Sequence, residues 1–506
     1  MKRRTWLWLT AFLIAFVLTA SLVLGVDDAW ARVGGGQTSR GGSSGGSSSG
    51  GGGGEADILF FLIHLAIEVP IIGIPLLMLF VGFLVCRGLN SARNKGGPKV
   101  YQSHAHQPVP AATGRKRRPT GLARLRELDK GLSIPVLHDF VQLVHRRATA
   151  ASVSGDWSAL TPFVGPEVRR ALTSGHQGIE ELDEVVVGSI DIDQVKVGSK
   201  RVSVRVTLAG SRRERRGKQT RQVFMRERWI FERDRNAQSL PPADMLRLGC
   251  PSCASAIDTD AMGACRSCGT PITKGQLQWT AKAVQLGARE PFKPPEVGFV
   301  AGGAEPSVNS ATLADPRLGP ETRAFVARHP DFSQRGFQER VTAVYMHLQS
   351  AWSDGRWEEA RPYVTDPMFQ TLRFWMEKYA SGGLANRLDD VKLRKQQIVK
   401  IEADAWYEAI TVRIWGSMKD SVQEVATGKV VGGNAKTDRH FSEYWTFLRA
   451  AGSGAASKDS EQCPSCGAPL DNVSQTGVCG YCDSKISSGQ FDWVLSRIHQ
   501  TADYRG

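Results

Sequence analysis

The sequence predicts an α+β protein. One unit, with helices on one face of an antiparallel sheet followed by a small four-cysteine ribbon, occurs twice, behind an amino-terminal signal or anchor and one transmembrane helix. Three observations predict this. Eight of the nine cysteines form two CxxC…CxxC sets. Short motifs recur, each with its internal spacing kept, through the later part of the chain. Two apolar segments with basic flanks open it.

At about 100–200 residues per domain, 506 residues suggest roughly two to four domains. A hydrophobic content of 41% excludes wholesale disorder. The net charge of +14 comes from 64 Lys+Arg against 50 Asp+Glu, and residues 1–130 hold 16 against 7 of these. The excess therefore sits at the amino-terminal end, where a membrane would attract it. The near-neutral remainder argues against nucleic-acid binding by the folded domains.

Lys2, Arg3 and Arg4 precede the apolar run Trp6–Val26, and Ala29-Trp30-Ala31 follows. Residues 1–31 thus read as a signal peptide cleaved after Ala31 or as a retained anchor. Residues 32–57 are a Gly/Ser-rich tether. Residues 58–86 are long and apolar enough to span a bilayer, with Pro70 and Pro75 tolerated as kinks. His64 and Glu68 share a face there. They lie among headgroups if hydrocarbon begins at Val69; an intramembrane contact or proton site is the alternative. Cys86 reads as an inert or acylated thiol. The juxtamembrane linker, 87–130, carries Arg87, Arg93, Lys95 and Lys99, which place the rest of the chain in the cytosol. Arg115, Lys116, Arg117 and Arg118 are candidate contacts for acidic phospholipid, at about 1 kcal/mol per charge, or a plain topology signal.

Cys250, Cys253, Cys265 and Cys268 form one set, and Cys463, Cys466, Cys479 and Cys482 the other. A CxxC knuckle points two thiolates at one ion, and two knuckles close a tetrahedral shell. A cytosolic location disfavours disulfides, and two structural zinc ions are favoured over iron.

The repeat runs further. Gly155, Trp157, Pro162 and Val164 match Gly355, Trp357, Pro362 and Val364, and Glu227 and Trp229 match Glu443 and Trp445. After the last cysteines, Ile272, Gly275-Gln276 and Trp279 match Ile486, Gly489-Gln490 and Trp493. In the second copy Val341, Val344, Tyr345, Leu348 and Trp352 give a helical stripe that stops at Gly355. A short helix at Trp357 and another from Asp366 to Tyr379 follow. Strands are expected over Val391–Ile401, Trp406–Trp415 and Arg439–Leu448, with a turn at Gly432-Gly433-Asn434. The first-copy equivalents are Leu137–Ala148, Val185–Val197, Arg201–Leu208 and Gln222–Phe231. Trp157, Trp357, Trp229 and Trp445 are expected in the cores. The boundaries are 131–235 and 331–450 for the two larger domains, 246–284 and 461–500 for the ribbons, and 285–330 for a linker.

Ala351-Trp352, Arg356-Trp357, Ala360-Arg361-Pro362, Phe369 to Trp375, Ala409 to Arg413, Thr427 to Gly433 and Phe441 to Thr446 carry a resemblance. The stretch from about Arg335 to Arg449 resembles the carboxy-terminal domain of the mitochondrial inner-membrane translocase subunit of forty-four kilodaltons. It is more similar still to bacterial proteins with that domain (Tim-44-like). The resemblance implies a cone-shaped α+β fold of the nuclear-transport-factor-two type and membrane association. The mitochondrial relative tethers a chaperone motor to a protein channel and touches acidic lipid.

The expected function is a non-enzymatic scaffold at a bacterial inner membrane. Its cytosolic domains would bind a protein partner such as translocation machinery, a chaperone or a membrane complex. One alternative is a ligand-binding or enzymatic cone, with Asp404, Glu408, His440 and Tyr444 as candidates. Another is nucleic-acid binding through the basic tip at Arg212, Arg213, Arg215, Arg216, Lys218 and Arg221.

Overall fold

A computed structural model describes residues 120–453 except 261, 274, 288 and 301, together with 463, 467, 468, 481, 489 and 492–506. The segments 1–31, 32–57 and 58–86, most of 87–130, and Cys466, Cys479 and Cys482 lie outside these residues. Among the described residues no helix is long and apolar enough to cross a membrane.

The first half starts with α1 (Thr120–Leu128) and α2 (Ile134–Ser154). Proline fits the first turn of α2, where its missing N–H has no helical partner. The helix ends at Gly155, whose φ of 79° suits glycine. Val136, Leu137, Phe140, Val141, Val144 and Ala148 form its buried stripe. Helix α3 (Pro166–Gly175) precedes an antiparallel meander of β1 (Glu181–Val197), β2 (Arg201–Arg216) and β3 (Gln219–Asp234). Along β2, Val202, Val204, Val206 and Leu208 enter the helix-facing core at the period of two that a strand imposes. Trp229 is fully buried there, while Trp157 is half-buried at the edge with Arg169 over its ring.

The chain leaves the sheet for the cysteine segment and returns as β4 (Thr280–Leu286), which pairs with β3. Short β5 (Glu290–Pro291) also joins β3. The region read as a linker is docked. Its β6 (Gly303–Ala304) pairs with a later strand. Arg413, 1% exposed, donates to the carbonyls of Ser307 and Ser310 and so ties the segment down. Helix α4 (Leu318–Arg328) puts Phe325 into the second core.

The second half continues with α5 (Gln334–Asp354) and α6 (Asp366–Ala380). Its strands are β7 (Leu384–Ala403), β8 (Tyr407–Glu424), β9 (Val430–Ala450) and β10 (Val494–Gln500). The expected turn at Gly432-Gly433 falls inside β9, and the reversal comes earlier, at Thr427-Gly428. Gly433, at φ 70°, lets β9 pass so close to β8 that a Cβ would lie 2.2 Å from the Asp420 carbonyl oxygen.

The two sheets share the order β1-β2-β3-β4 and β7-β8-β9-β10. In both, the cysteine segment is an excursion between the third and fourth strands. The ranges 246–284 and 461–500 therefore run past the ribbons into β4 and β10. Trp279 and Trp493, immediately before these strands, are buried in the two cores, and bridges join Val164 to Ala281 and Val364 to Leu495. The irregularities of the sheets coincide as well. Shifts at Asp183/Val186, Val187/Ser189 and Ile192/Gln194 recur at Asp389/Lys392, Leu393/Lys395 and Ile398/Lys400. Glu184 and Asp390, in the first of these bulges, both have positive φ.

The halves are packed together. Val186, Ala209 and Phe224 lie on the side of the first sheet away from its own core and join the second core. Phe374 of α6 meets Phe224 and Phe292, and Glu377 accepts from Gln222 at 3.0 Å. Gly188 permits this contact, since a Cβ there would lie 2.8 Å from the Phe374 ring.

Candidate metal centre

Each cysteine pair is built on the same turn. The Cys250 N–H donates to Ser255 O, and its carbonyl accepts from the Ala254 N–H, both at 2.8 Å. Cys265 repeats this with Thr270 O at 2.9 Å and the Gly269 N–H at 2.7 Å. Ala254 and Gly269 take positive φ, 59° and 72°. The Ser252 N–H lies 3.4 Å from Cys250 Sγ, a donor aimed at the sulfur.

The four sulfurs lie within 4.8 Å of one another. Cys250 and Cys268 are 3.8 Å apart, and Cys253 and Cys265 3.9 Å. A disulfide would bring a pair to about 2 Å. Metal–sulfur bonds of about 2.3 Å in a tetrahedron give edges of about 3.8 Å, so these residues fit a four-thiolate metal ion. Cys250 and Cys265 pack against Ile272, while Cys253 and Cys268 face solvent. Burial pushes the Cys250 thiol up to about 12, whereas hydrogen bonds from Thr270 bring Cys268 down to about 6. A bound cation would favour the thiolate at each.

Of the second set only Cys463 is among the described residues. It is buried and makes the same turn: its N–H donates to Ala468 O at 2.6 Å, and its carbonyl accepts from the Gly467 N–H at 2.7 Å. Gly467 has a φ of 73°. Arg115, Lys116, Arg117 and Arg118 lie outside the described residues.

The structure does not bring Asp404, Glu408, His440 and Tyr444 together. Asp404 accepts from the Trp406 and Tyr407 N–H groups in a turn. Glu408 is buried among His329 at 2.6 Å, Arg449 at 3.2 Å and Arg328 at 3.4 Å. His440 pairs with Ser417 in the sheet. Glu408 and Ser417 are nine residues apart on β8, about 30 Å at strand rise. The Tyr444 hydroxyl accepts from the Leu313 N–H, and its ring stacks on Tyr504. Half of the basic tip is paired with carboxylates: Arg213 with Asp183 and Glu184, and Arg215 with Glu180 and Glu181. Arg212 is buried between Glu214 and Glu227.

Sequence reasoning missed this last cluster. Arg212, Glu214, Glu227 and His145 are all 3% exposed or less. A cavity of about 230 Å³ is lined by Arg212 and Glu227 of this cluster, between the end of α3 and strands β3 and β4. The one available signal was the Glu227/Trp229 match to Glu443/Trp445. In both halves the indole donates to the carboxylate two residues before it, at 3.0 and 2.9 Å.

The fold and the cysteine group define a mixed α+β chain with antiparallel sheets and a potential metal site. Residues 320–458 match the family model of the Tim44-like domain. No curated protein matches the chain. A solved structure described as an Ntf2 like protein involved in plasmid conjugation aligns over 67% of this chain and 84% of its own, at 8% identity and a TM-score of 0.14.

Proposed function

We propose that this protein is a membrane-associated scaffold related to protein translocation or membrane-protein assembly. In this reading it consists of two duplicated cone domains, each interrupted by a structural zinc ribbon and held at the cytosolic face of a bacterial inner membrane by residues 58–86. The observation that carries the reading is the Tim44-like match over 320–458, because such domains are associated with membranes and translocase partners. The coincident bulges of the two sheets support the duplication, since bulges are designed features rather than accidents. The tetrahedral spacing of the sulfurs supports zinc. The role is non-catalytic, and Arg115–Arg118 add contact with acidic lipid.

The test is crosslinking in intact membranes from photoreactive residues at Val326, Met346 and Val425, which are exposed apolar positions within the matched region. The reading expects one defined membrane complex or chaperone, captured from these positions and not from sites on the first half. Lipid and self-crosslinks alone would count against it.

A further inference from the structure

We propose, resting on the metal reading above, that the first ribbon is an oxidation site: a peroxide joins Cys253 to Cys268 as a disulfide, and the ion is released. The four sulfurs do not share one environment. Cys250 and Cys265 are buried and pack against Ile272. Cys253 and Cys268, one from each knuckle, are exposed. The exposed side is also the polar one. Ser255 Oγ lies 3.1 Å from Cys253 Sγ, and Thr270 Oγ1 lies 3.4 Å from Cys268 Sγ. Ser252 Oγ and Thr270 Oγ1, 3.1 Å apart, join the two knuckles there. A small polar oxidant therefore meets two sulfurs on one face, while the other two are shielded. Susceptibility to oxidation follows thiolate character and exposure, and metal ligation requires the thiolate.

No reactant besides the peroxide is needed. One thiolate attacks a peroxide oxygen, the O–O bond breaks, hydroxide leaves, and the sulfur becomes a sulfenic acid. The second thiolate attacks that sulfur and displaces a second hydroxide. The two sulfurs give up two electrons, and one peroxide becomes two hydroxide ions. All four sulfurs lie within 4.8 Å of one another, so the pair has about 3 Å or less to close to reach a disulfide. Cys250 and Cys265 alone cannot complete a four-ligand shell. Thiol exchange reverses the bond.

The ribbon is linked to the contact between the halves. The Gly275 carbonyl accepts from the Asp234 N–H at 2.7 Å and from Arg201 at 3.2 Å. Strands β4 and β5 follow, and next to β5 Phe292 meets Phe374 of the second half. Oxidation should loosen this stretch.

The test treats the full-length, zinc-loaded chain with hydrogen peroxide. Elemental analysis counts the metal, and alkylation with peptide mass spectrometry locates the thiols. Metal loss is expected to track formation of a Cys253–Cys268 disulfide. Amides from Thr280 to Phe292 should exchange with deuterium about tenfold faster or more, and dithiothreitol with zinc should restore both. Retained metal with four free thiols, or a first disulfide at Cys250 or Cys265, would overturn the proposal. Unchanged exchange would overturn the link to the halves. A chain that takes up no zinc at Cys250–Cys268 before treatment would overturn the metal reading itself, and the proposal with it.

Discussion

The Arg233 guanidinium lies 4.3 Å from the centre of the Trp279 ring, so the end of β3 holds the residue that precedes β4 across the whole cysteine excursion. Arg233 is itself anchored by a buried ion pair to Asp129 of the first half. Closing an excursion of this length costs about 3 kcal/mol of chain entropy by the logarithmic law. A metal at the four sulfurs shortens the free segment and offsets part of that cost.

Metal removal should therefore loosen the sheet as well as the ribbon. With a chelator, amides of Thr280–Leu286 are expected to exchange with deuterium about tenfold faster or more, while the buried stripe of α2 changes little. Hydrogen-exchange mass spectrometry reads this by segment. Unchanged protection of β4 in metal-free protein would show that the strand docks without help from the ribbon.

The second prediction concerns stoichiometry. The shared turn at Cys250, Cys265 and Cys463 leads to two metal ions per chain, with zinc favoured by an all-thiolate shell. Cys268→Ser should leave one ion, Cys466→Ser one, and the double variant none, as measured by elemental analysis of purified protein. A single ion in the unaltered chain would mean that the second set does not close.

What could be read from the sequence, and what could not, follows from the range of the interactions. Helix α6 was legible because Phe369, Leu372 and Phe374 form a local pattern, and the end of α5 because Gly355 takes a left-handed turn. The knuckles were legible because CxxC is itself the geometry. Strands β4 and β10 were not. Each is only seven residues long, and each is recognised by its pairing with a strand on the far side of the ribbon. The cavity was illegible for the same reason. Gly175, Arg212, Glu227 and Arg289 come from four separate segments, and each alone reads as a solvated surface residue.

The contact between the halves supplies the third prediction. Phe374 is 4% exposed and fills the space between Phe224, Phe292 and Gly188. Phe374→Ala should cost about 3–5 kcal/mol in urea unfolding, the usual range for a buried aromatic. It should also open the segment between β5 and α4 to limited proteolysis. A loss under about 1 kcal/mol would place the two halves in weak contact.

The last prediction is acid sensitivity, and its sign follows from two buried groups beside the cavity. His176 is held neutral, its pKa lowered to about 4, first by burial and then by the nearby Arg212. The unfolded chain takes up that proton near the ordinary value of 6.5, so this stability is complete above pH 6.5 and is lost as the pH falls toward 4. Burial alone would raise Glu227. Hydrogen bonding and charge from His145, with Arg212 and the Trp229 indole, outweigh burial and hold it at about 2. That contribution is complete above about pH 4.5 and is lost as the pH falls toward 2. Each amounts to a few kcal/mol at about 1.4 kcal/mol per unit of pKa. The urea midpoint should therefore fall in two overlapping stages on acidification. His176→Asn should lessen the upper stage, to which His138 and His499, each lowered to about 3 first by burial, also contribute, and Glu227→Gln, which keeps an acceptor for Trp229, should lessen the lower one. A midpoint that stays constant from pH 7 to pH 4 would mean that His176 takes up its proton in the folded chain as readily as in the unfolded one.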